Sequence, residues 1–429
     1  MQRLQHKCKL LQRVALKYAV SSSTTSPLHV ARPITAFNSL SLVTSRSFKT
    51  PATRHQSLSA TEVSSAATPL STVRPPFPTP RVAATGTSTA PPPFTIPTVD
   101  IAPYLSDPSS PAAQRVVEQI NQACRSTGFF QIVNHGVPAA LQDEVFRAAQ
   151  RFFRLPLEEK KKLDAKTTIG HRGYDVLESQ SYEEGVLPDL KEGFYVGNDV
   201  PATDPRAQAG RFFMGPNVWP ASLEAHELQQ PAEAYFAAVY ALSLRVLDMI
   251  AASLPYDVRA TFARFTQPAE LVAAPLRLLH YPPARPRGQQ RQLGASAHTD
   301  FGAVTLLMQD GNPGLQVLDR HGAARWVDVP STRRAYVVNV GDMLERWTRG
   351  YYRSSVHRVV NPLPCDRYSV VFFFDGNLDC PLVPLGPPDE GGAEAAAGSG
   401  NAEEREDVLT VEKHMIERMT ASYGKGGKK

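Results

Sequence analysis

The second half of the chain has a hydrophobic pattern that predicts a β-sheet structure. After Leu276 the sequence becomes a series of short β-branched and aromatic runs with Gly, Pro and Asp between them. The runs cover residues 276–281, 304–308, 315–318, 335–340, 355–360 and 368–374. Many short strands at such close spacing favour a sandwich or a double-sheet barrel.

The preceding region mixes the periodicities of helices and strands. The pattern predicts a strand at 96–101, a helix at 111–126, a strand at 129–133 and an amphipathic helix at 139–153. Residues 170–198 are polar with scattered aromatics and are predicted to form a long loop. The longest helical pattern, at 223–254, is rich in Ala and Leu, and we expect this helix to lie along the sheet. A closing helix is predicted at 408–423.

The N-terminal region differs from the rest in composition. Residues 1–61 hold nine Lys or Arg and no Asp or Glu, and residues 1–20 have the pattern of a basic amphipathic helix. This composition is typical of an organelle transit peptide, here expected to direct import into mitochondria. The alternative is a disordered tail without targeting value on a cytoplasmic protein. Residues 62–95, rich in Pro, Thr and Ser, are predicted to be a disordered linker.

Charge and cysteine content narrow the possible partners. Without residues 1–61, the chain holds 37 Lys or Arg against 41 Asp or Glu, a net charge of −4 in place of +5 for the whole. No cluster of basic residues with interleaved aromatics occurs there, so no nucleic-acid partner is expected. No run approaches the length of a membrane-spanning helix. The four cysteines are scattered without a CxxC pair, which favours a reduced compartment and gives no sign of a zinc site. We expect a monomer that binds a small molecule.

Two histidines and an aspartate form a candidate metal site. In "SAHTDFG", alternation along a strand would place His298 and Asp300 on one face. An HxD triplet alone carries little information, but His357 lies in "SSVHRVV", a predicted strand facing the same interior. Two imidazoles and one carboxylate are the facial triad of non-haem iron(II) oxygenases, which leaves three coordination positions open. A structural zinc site would need a fourth protein ligand.

A candidate carboxylate pocket follows ten residues later. In "RYSVVFFF", alternation puts Arg367, Ser369 and Phe373 on one face. A guanidinium and a hydroxyl two residues apart can hold a carboxylate, whereas the alternative for Arg367 is a surface ion pair. The run "LRLLHYPP" places Arg277 and Tyr281 on another shared face, so that the Tyr281 hydroxyl can reach the same carboxylate or the metal-bound group.

Three other polar residues are predicted to be structural. His280 would point away from the face that carries Tyr281. His135, in "VNHGV", lies far from the metal motif in sequence, and Asp342, in "NVGDMLERW", is expected to be a turn or helix-cap residue.

Together, the HxD, the distal His and the RxS motifs resemble those of the 2-oxoglutarate and iron(II)-dependent oxygenase superfamily. The runs "HYPP", "GFFQIVNHGV" (128–137) and "DLKEGFYVG" (189–197) make the chain similar to the isopenicillin N synthase-like branch. The resemblance covers nearly all of residues 96–423. It implies a mainly β fold with α-helices: a double-stranded β-helix, or jelly roll, preceded by a helical N-terminal region and backed by a long helix.

The resemblance also implies a division of the chain and a role for each motif. Residues 96–265 would be the N-terminal dioxygenase region with the long helix, 266–386 the catalytic jelly roll, and 387–429 a flexible insertion and a C-terminal helix. The implied ligands of Fe(II) are His298, Asp300 and His357; the implied 2-oxoglutarate contacts are Arg367, Ser369 and Tyr281; and the implied substrate-pocket residues are Phe373, Arg277 and Tyr174.

The implied reaction hydroxylates or desaturates a small organic molecule with Fe(II), 2-oxoglutarate and O2, releasing succinate and CO2. Two alternatives remain: an Fe(II) oxidase of the same fold that does not use 2-oxoglutarate, and a non-catalytic small-molecule receptor. Leu279 stands where flavonoid-type members carry Asn, and the Gly/Ala/Glu insertion at 391–404 replaces a shorter connection. Both departures argue against a flavonoid substrate.

Overall fold

The computed structural model describes residues 94–178, 187–283, 292–320, 324–386 and 408–424. The predicted transit peptide (1–61), nearly all of the linker (62–95) and the insertion at 391–404 lie outside these residues. In the described part the helices are α1 (Ala102–Ser106), α2 (Pro111–Ser126), α3 (Ala139–Phe153), α4 (Leu157–Lys161), α5 (Pro205–Gln208), α6 (Gln229–Ser253), α7 (Arg259–Thr266), α8 (Asp342–Trp347) and α9 (Val411–Gly424).

The strands form two main sheets. The described strands are β1 (Thr98–Asp100), β2 (Phe129–Val133), β3 (Gly173–Asp175), β4 (Glu192–Val196), β5 (Val272–Ala273), β6 (Leu276–Tyr281), β7 (Ala295–His298), β8 (Val304–Gln309), β9 (Leu315–Asp319), β10 (Arg325–Asp328), β11 (Tyr336–Val340), β12 (His357–Val359), β13 (Arg367–Phe374) and β14 (Gly376–Asn377). Eight strands lie in the order β1-β2-β11-β8-β13-β6-β4-β3, and four in the order β10-β9-β12-β7. All these pairs are antiparallel except β1 with β2. Two antiparallel sheets of this kind form the predicted jelly roll.

The two faces of the large sheet pack against different partners. Leu278 of β6 and Val370 of β13 belong to a core shared with the helices. Leu279 and Val371, one residue further along each strand, belong to a second core that also contains Val317 of the smaller sheet. Strand alternation therefore separates a helix-facing core from a barrel interior, and Arg367 and Ser369 face the interior with Val371.

Helix α6 backs the sheet, as the sequence predicted. It contacts α2, α3 and β13, and Val239, Val246 and Ile250 are buried. Contrary to our expectation, this 25-residue helix is long and apolar enough to cross a membrane by length and composition. Half of its most apolar window is buried, which is the behaviour of a core helix.

The long loop predicted at 170–198 is wrong in two places, because it contains β3 and β4. All five residues of β4 are buried, and the strand pairs with β6. The sequence did not indicate this strand because its first residue is Glu192, and a charged residue is rarely buried. The structure compensates its charge with Lys160 Nζ, 2.7 Å from Glu192 Oε2.

Candidate metal centre

The jelly roll brings the three predicted metal ligands together. His298 ends β7 and lies directly opposite His357 of β12, and Asp300 follows two residues later. Asp300 Oδ1 lies 3.8 Å from His298 Nε2 and 3.7 Å from His357 Nε2. The three ligand atoms all lie within 4.8 Å of one another, and in the described chain no other group of three His, Cys, Asp or Glu is so arranged. The geometry suits one ion with open positions.

Backbone carbonyls orient both imidazoles. His298 Nδ1 lies 2.7 Å from the carbonyl oxygen of Ser296, and His357 Nδ1 lies 3.1 Å from that of Ser355. A carbonyl only accepts, so each Nδ1 carries the proton and donates it. Each Nε2 is then left with a lone pair, which is the form that binds a metal.

The Asp300 carboxylate is fixed through one oxygen. Its Oδ2 accepts hydrogen bonds from Thr305 Oγ1 at 2.6 Å and Asn339 Nδ2 at 2.8 Å. Burial raises the pKa of Asp300, but the nearby His357 and His298 imidazoles and these hydrogen bonds outweigh burial and hold its pKa below the ordinary value. Burial, together with the nearby His357 imidazole, lowers the pKa of His298. An ionised carboxylate and a neutral imidazole are the metal-binding forms.

A second polar site lies in the same interior. Arg367 and Ser369 are fully buried, which rules out the surface ion pair for Arg367. Arg367 Nη2 donates to Gln309 Oε1 at 2.9 Å, and its guanidinium lies 4.9 Å from the centre of the Tyr281 ring. In the described structure, Arg367 Nε, Arg367 Nη1 and Ser369 Oγ are buried without a hydrogen-bond partner. Buried donors without partners are costly, and a ligand carboxylate fits them.

An ion pair and two aromatic side chains lie further along the interior face. Arg277, on the same face of β6 as Tyr281, donates from Nη2 to Asp175 Oδ2. Its guanidinium lies 4.7 Å from the centre of the Tyr195 ring. Phe373 is the neighbour of Thr305 across β13 and β8, so it lies near the metal ligands.

Tyr174 does not line this interior, and the expectation that it does is wrong. It belongs to the helix-facing core, and its hydroxyl donates to Glu192 Oε2 at 2.6 Å. Alternation in β3 explains the difference, since Asp175, the next residue, is the one that contacts Arg277.

His135 and His280 have structural contacts, as predicted. His135 Nε2 lies 2.7 Å from the Arg334 carbonyl oxygen, and its Nδ1 accepts from Val137 N at 3.1 Å. His280 lies between two carboxylates, 2.7 Å from Glu192 Oε1 and 2.9 Å from Asp366 Oδ1.

The C-terminal helix holds the loop that carries Asp300. Asp342 begins α8, and its Oδ2 accepts from Thr299 Oγ1 at 2.9 Å and from Arg418 Nη2 of α9. Asp342 N donates to the Asp300 carbonyl at 2.8 Å, and His414 Nε2 of α9 lies 2.9 Å from the Phe301 carbonyl oxygen. Asp342 is therefore more than the turn or cap residue expected from the sequence.

Sequence reasoning also missed Asp189 and Lys191. Lys191 Nζ donates to Asp189 Oδ2 at 2.7 Å, and both residues are buried. The sequence did contain a signal for this pair. Asp189 and Lys191 are two residues apart just before β4, and strand alternation puts both side chains on one face.

Two family models match the chain. The model for the N-terminal region of non-haem dioxygenase in morphine synthesis matches residues 96–222. The model for the 2OG-Fe(II) oxygenase superfamily matches residues 273–376.

Several similar proteins come from fungi. A 2-oxoglutarate-dependent dioxygenase of Monascus ruber is 51% identical over 76% of this chain and 94% of its own. The clavatol oxidase of Penicillium crustosum is 46% identical over 76% of this chain and 96% of its own. Among solved structures, that of a full-length Neurospora crassa protein in complex with alpha-KG is similar, with a TM-score of 0.61 and 26% identity over 76% of this chain and 96% of its own.

Proposed function

The chain belongs to the 2-oxoglutarate and iron(II)-dependent oxygenase superfamily and is a dioxygenase, and from this premise we propose which of its residues carry the reaction. His298, Asp300 and His357 bind iron(II) through Nε2, Oδ1 and Nε2. Arg367 and Ser369 bind the distal carboxylate of 2-oxoglutarate. The observation that carries the proposal is that buried donors without partners lie in the same interior as the three ligand atoms.

Each group has a defined part in this scheme. When bound, the iron would supply the oxidising chemistry, in which the substrate, 2-oxoglutarate and O2 give the oxidised substrate, succinate and CO2, with one oxygen atom of O2 in succinate and the other in the product or in water. Arg367 offers two hydrogen-bond donors to one carboxylate and thereby orients the co-substrate. Tyr281 packs against the guanidinium and limits its movement. Thr305 and Asn339 occupy Asp300 Oδ2, so that Oδ1 is presented to the metal.

We propose a small secondary metabolite as the substrate, bound beside Arg277, Tyr195 and Phe373. An ion pair and two aromatic rings suit a flat molecule with oxygen substituents, because rings can stack while the charged groups exchange hydrogen bonds. The similarity to a clavatol oxidase supports this class.

The test is a screen of phenols, aromatic ketones and small acids with the iron-loaded protein. We expect succinate release that rises with one of these compounds, and a product mass that distinguishes an added oxygen from the loss of two hydrogens. Asp300→Ala should abolish the stimulated release while the thermal transition stays close to that of the wild type. Unchanged turnover in Asp300→Ala would refute the metal assignment. Substrate oxidation without succinate would favour the oxidase alternative, and substrate binding without any turnover would favour the receptor.

We also propose that residues 1–61 direct import into mitochondria, since this segment is basic and free of acidic residues. A fluorescent fusion of residues 1–90 should enter mitochondria. The matched control replaces Arg3, Lys7, Lys9, Arg13 and Lys17 with Gln and should remain in the cytosol. A diffuse signal from the unmodified fusion would contradict the proposal.

A monomeric state is proposed as well, because one chain supplies both the metal ligands and the co-substrate residues. Light scattering should give a mass near 46.9 kDa for the full chain. A mass of twice that value would show a dimer.

A further inference from the structure

Residues 189–192, at the beginning of β4, make ionic contacts on both faces. On the interior face, Lys191 Nζ lies 2.7 Å from Asp189 Oδ2, and the Asp189 side chain is fully buried. On the helix-facing side, Lys160 Nζ lies 2.7 Å from Glu192 Oε2. The two pairs are alike in charge, distance and burial, but only the first lies on the side of the metal ligands.

The interior pair is connected to His298 by hydrogen bonds. Asp189 Oδ1 accepts from Ser296 N at 2.8 Å and from Ser296 Oγ at 2.5 Å. The Ser296 carbonyl in turn accepts from His298 Nδ1 at 2.7 Å. Ser296 therefore links the Asp189–Lys191 ion pair to the His298 imidazole, with its N–H and hydroxyl bound to Asp189 and its carbonyl bound to His298.

Among the described strands, β7, which carries His298, pairs with one neighbour. It is the edge strand of the smaller sheet and pairs with β12, and the register of that pair shifts between His357 and Val359. His298 is the last residue of β7, and its side chain is 25% exposed, against 8% for Asp300 and 9% for His357. On an edge strand, the Ser296 N–H has no neighbouring strand to bind, and the Asp189 carboxylate accepts its hydrogen bond. A hydrogen bond of 2.8 Å from Leu190 N to the Leu293 carbonyl also joins residues 189–191 to the segment that leads into β7.

We propose that Asp189 is a positioning residue of the metal centre, which fixes His298 through Ser296, and that Lys191 neutralises the buried Asp189 carboxylate. A buried carboxylate keeps its place only if it is paired and hydrogen-bonded, and both conditions are met here. The support for His298 thus comes from residues 189–191, which lie within the matched N-terminal family region and outside the catalytic region that provides the ligands. The inference rests on the proposed role of His298 as a metal ligand.

The test measures metal binding by the full-length apoprotein with Co(II) alone, without 2-oxoglutarate or substrate. In Asp189→Asn, the amide retains an oxygen for Ser296 but no longer neutralises Lys191. We expect Co(II) to bind roughly tenfold to a hundredfold more weakly, with an altered visible spectrum. Lys191→Met should weaken binding in the same direction. Ser296→Ala removes one of the two hydrogen bonds to Asp189 and should have a smaller effect.

The matched control is Glu192→Gln, which disturbs the ion pair on the opposite face of the same segment. It should lower the thermal transition and leave the affinity for Co(II) and its spectrum unchanged. Wild-type affinity and spectrum in Asp189→Asn would overturn the inference, and so would equal weakening in Glu192→Gln. If Asp189→Asn does not fold, Ser296→Ala decides: weaker binding supports the inference and unchanged binding overturns it. His298→Ala distinguishes failure of the inference about Asp189 from failure of the proposed metal ligands. Retained Co(II) affinity in His298→Ala would refute the assignment of His298 as a ligand.

Discussion

At the scale of single residues, the interior of the barrel is defined by donors that lack partners among the described residues. Arg367 has one protein acceptor, Gln309, and leaves Nε and Nη1 unused, while Ser369 leaves its hydroxyl unused. Packing alone would favour apolar side chains at such positions, since a buried group without a hydrogen bond is destabilising. Their presence is accounted for by a ligand that completes the hydrogen bonds.

We therefore expect Arg367→Ala to weaken 2-oxoglutarate binding. Removal of the guanidinium leaves a buried carboxylate unpaired, which costs about 2 to 5 kcal/mol, or more than tenfold in the dissociation constant. Arg367→Lys should restore only part of the affinity because an ammonium lacks the planar fork. Ser369→Ala should cost less than Arg367→Ala. The measurement is calorimetric titration of the metal-loaded protein, with Arg325→Ala, at an exposed arginine, as the control. An unchanged affinity in Arg367→Ala would indicate that this arginine holds the substrate instead.

A second prediction concerns His135 and pH. Burial lowers the pKa of His135, so protonation favours the unfolded chain. The stability that depends on its neutral ring is present above about pH 6.5 and is lost as the pH falls below that value. His135→Gln should therefore lose less unfolding free energy than the wild type between pH 7.5 and pH 5. Urea unfolding at both pH values measures this difference, and His226→Gln, at an exposed histidine, should behave as the wild type. Equal losses in wild type and His135→Gln would contradict the prediction.

The metal ligands could be predicted from residue types and spacing, but their support could not. The HxD triplet and the distal histidine indicate a site because alternation places ligands on one face. Asp189 and Lys191 are two residues apart, but Ser296 is 107 residues from Asp189, so only the fold shows that the ion pair supports the metal site. The prediction for Tyr174 is wrong for a related reason. In a predicted loop there is no strand alternation, so the sequence does not indicate the direction of the Tyr174 side chain.

At the scale of secondary structure, the strands with regular alternation were predictable and those with charged residues were not. β6 and β13 were located from their hydrophobic pattern, with bounds close to those observed. At β4 the sequence predicts a loop, because Glu192 and Gly193 interrupt the hydrophobic pattern and the compensating charge of Lys160 is 32 residues away. A buried ion pair across such a distance leaves no local signal in the sequence.

Helix α9 gives a prediction at this scale. Arg418 binds Asp342, and its guanidinium lies 5.0 Å from the centre of the Phe301 ring, so its loss should loosen the loop around Asp300. In Arg418→Ala we expect faster amide hydrogen exchange at residues 299–302, with unchanged exchange in β9. Glu417→Ala, at an exposed position of the same helix, is the control. Equal exchange at residues 299–302 in both variants would show that α9 does not restrain this loop.

At the scale of the whole molecule, the described body begins close to residue 94. The Monascus ruber and Penicillium crustosum relatives are matched over 94% and 96% of their length by 76% of this chain, and the first family match begins at residue 96. Phe94 and Ile96 nevertheless pack against the interior core, which includes Leu279 and Tyr281. The first described residues therefore contribute to the packing of the barrel interior.

Two truncations test this boundary. Removal of residues 1–90 should leave the thermal transition and 2-oxoglutarate affinity unchanged. Removal of residues 1–97 also deletes Phe94 and Ile96, whose partial burial is worth about 2 to 3 kcal/mol. The longer truncation should therefore lower the unfolding free energy by that amount in urea unfolding. Equal stability of the two proteins would show that the core does not depend on these side chains.

The contacts of α9 with the metal loop also have a consequence for synthesis. His414 lies 113 residues after Phe301, whose carbonyl it contacts. At the speed of ribosomes, roughly 5 to 25 seconds pass between the emergence of the two. A nascent chain from which α9 has not yet emerged therefore holds the three metal ligands without the helix that restrains the loop around Asp300.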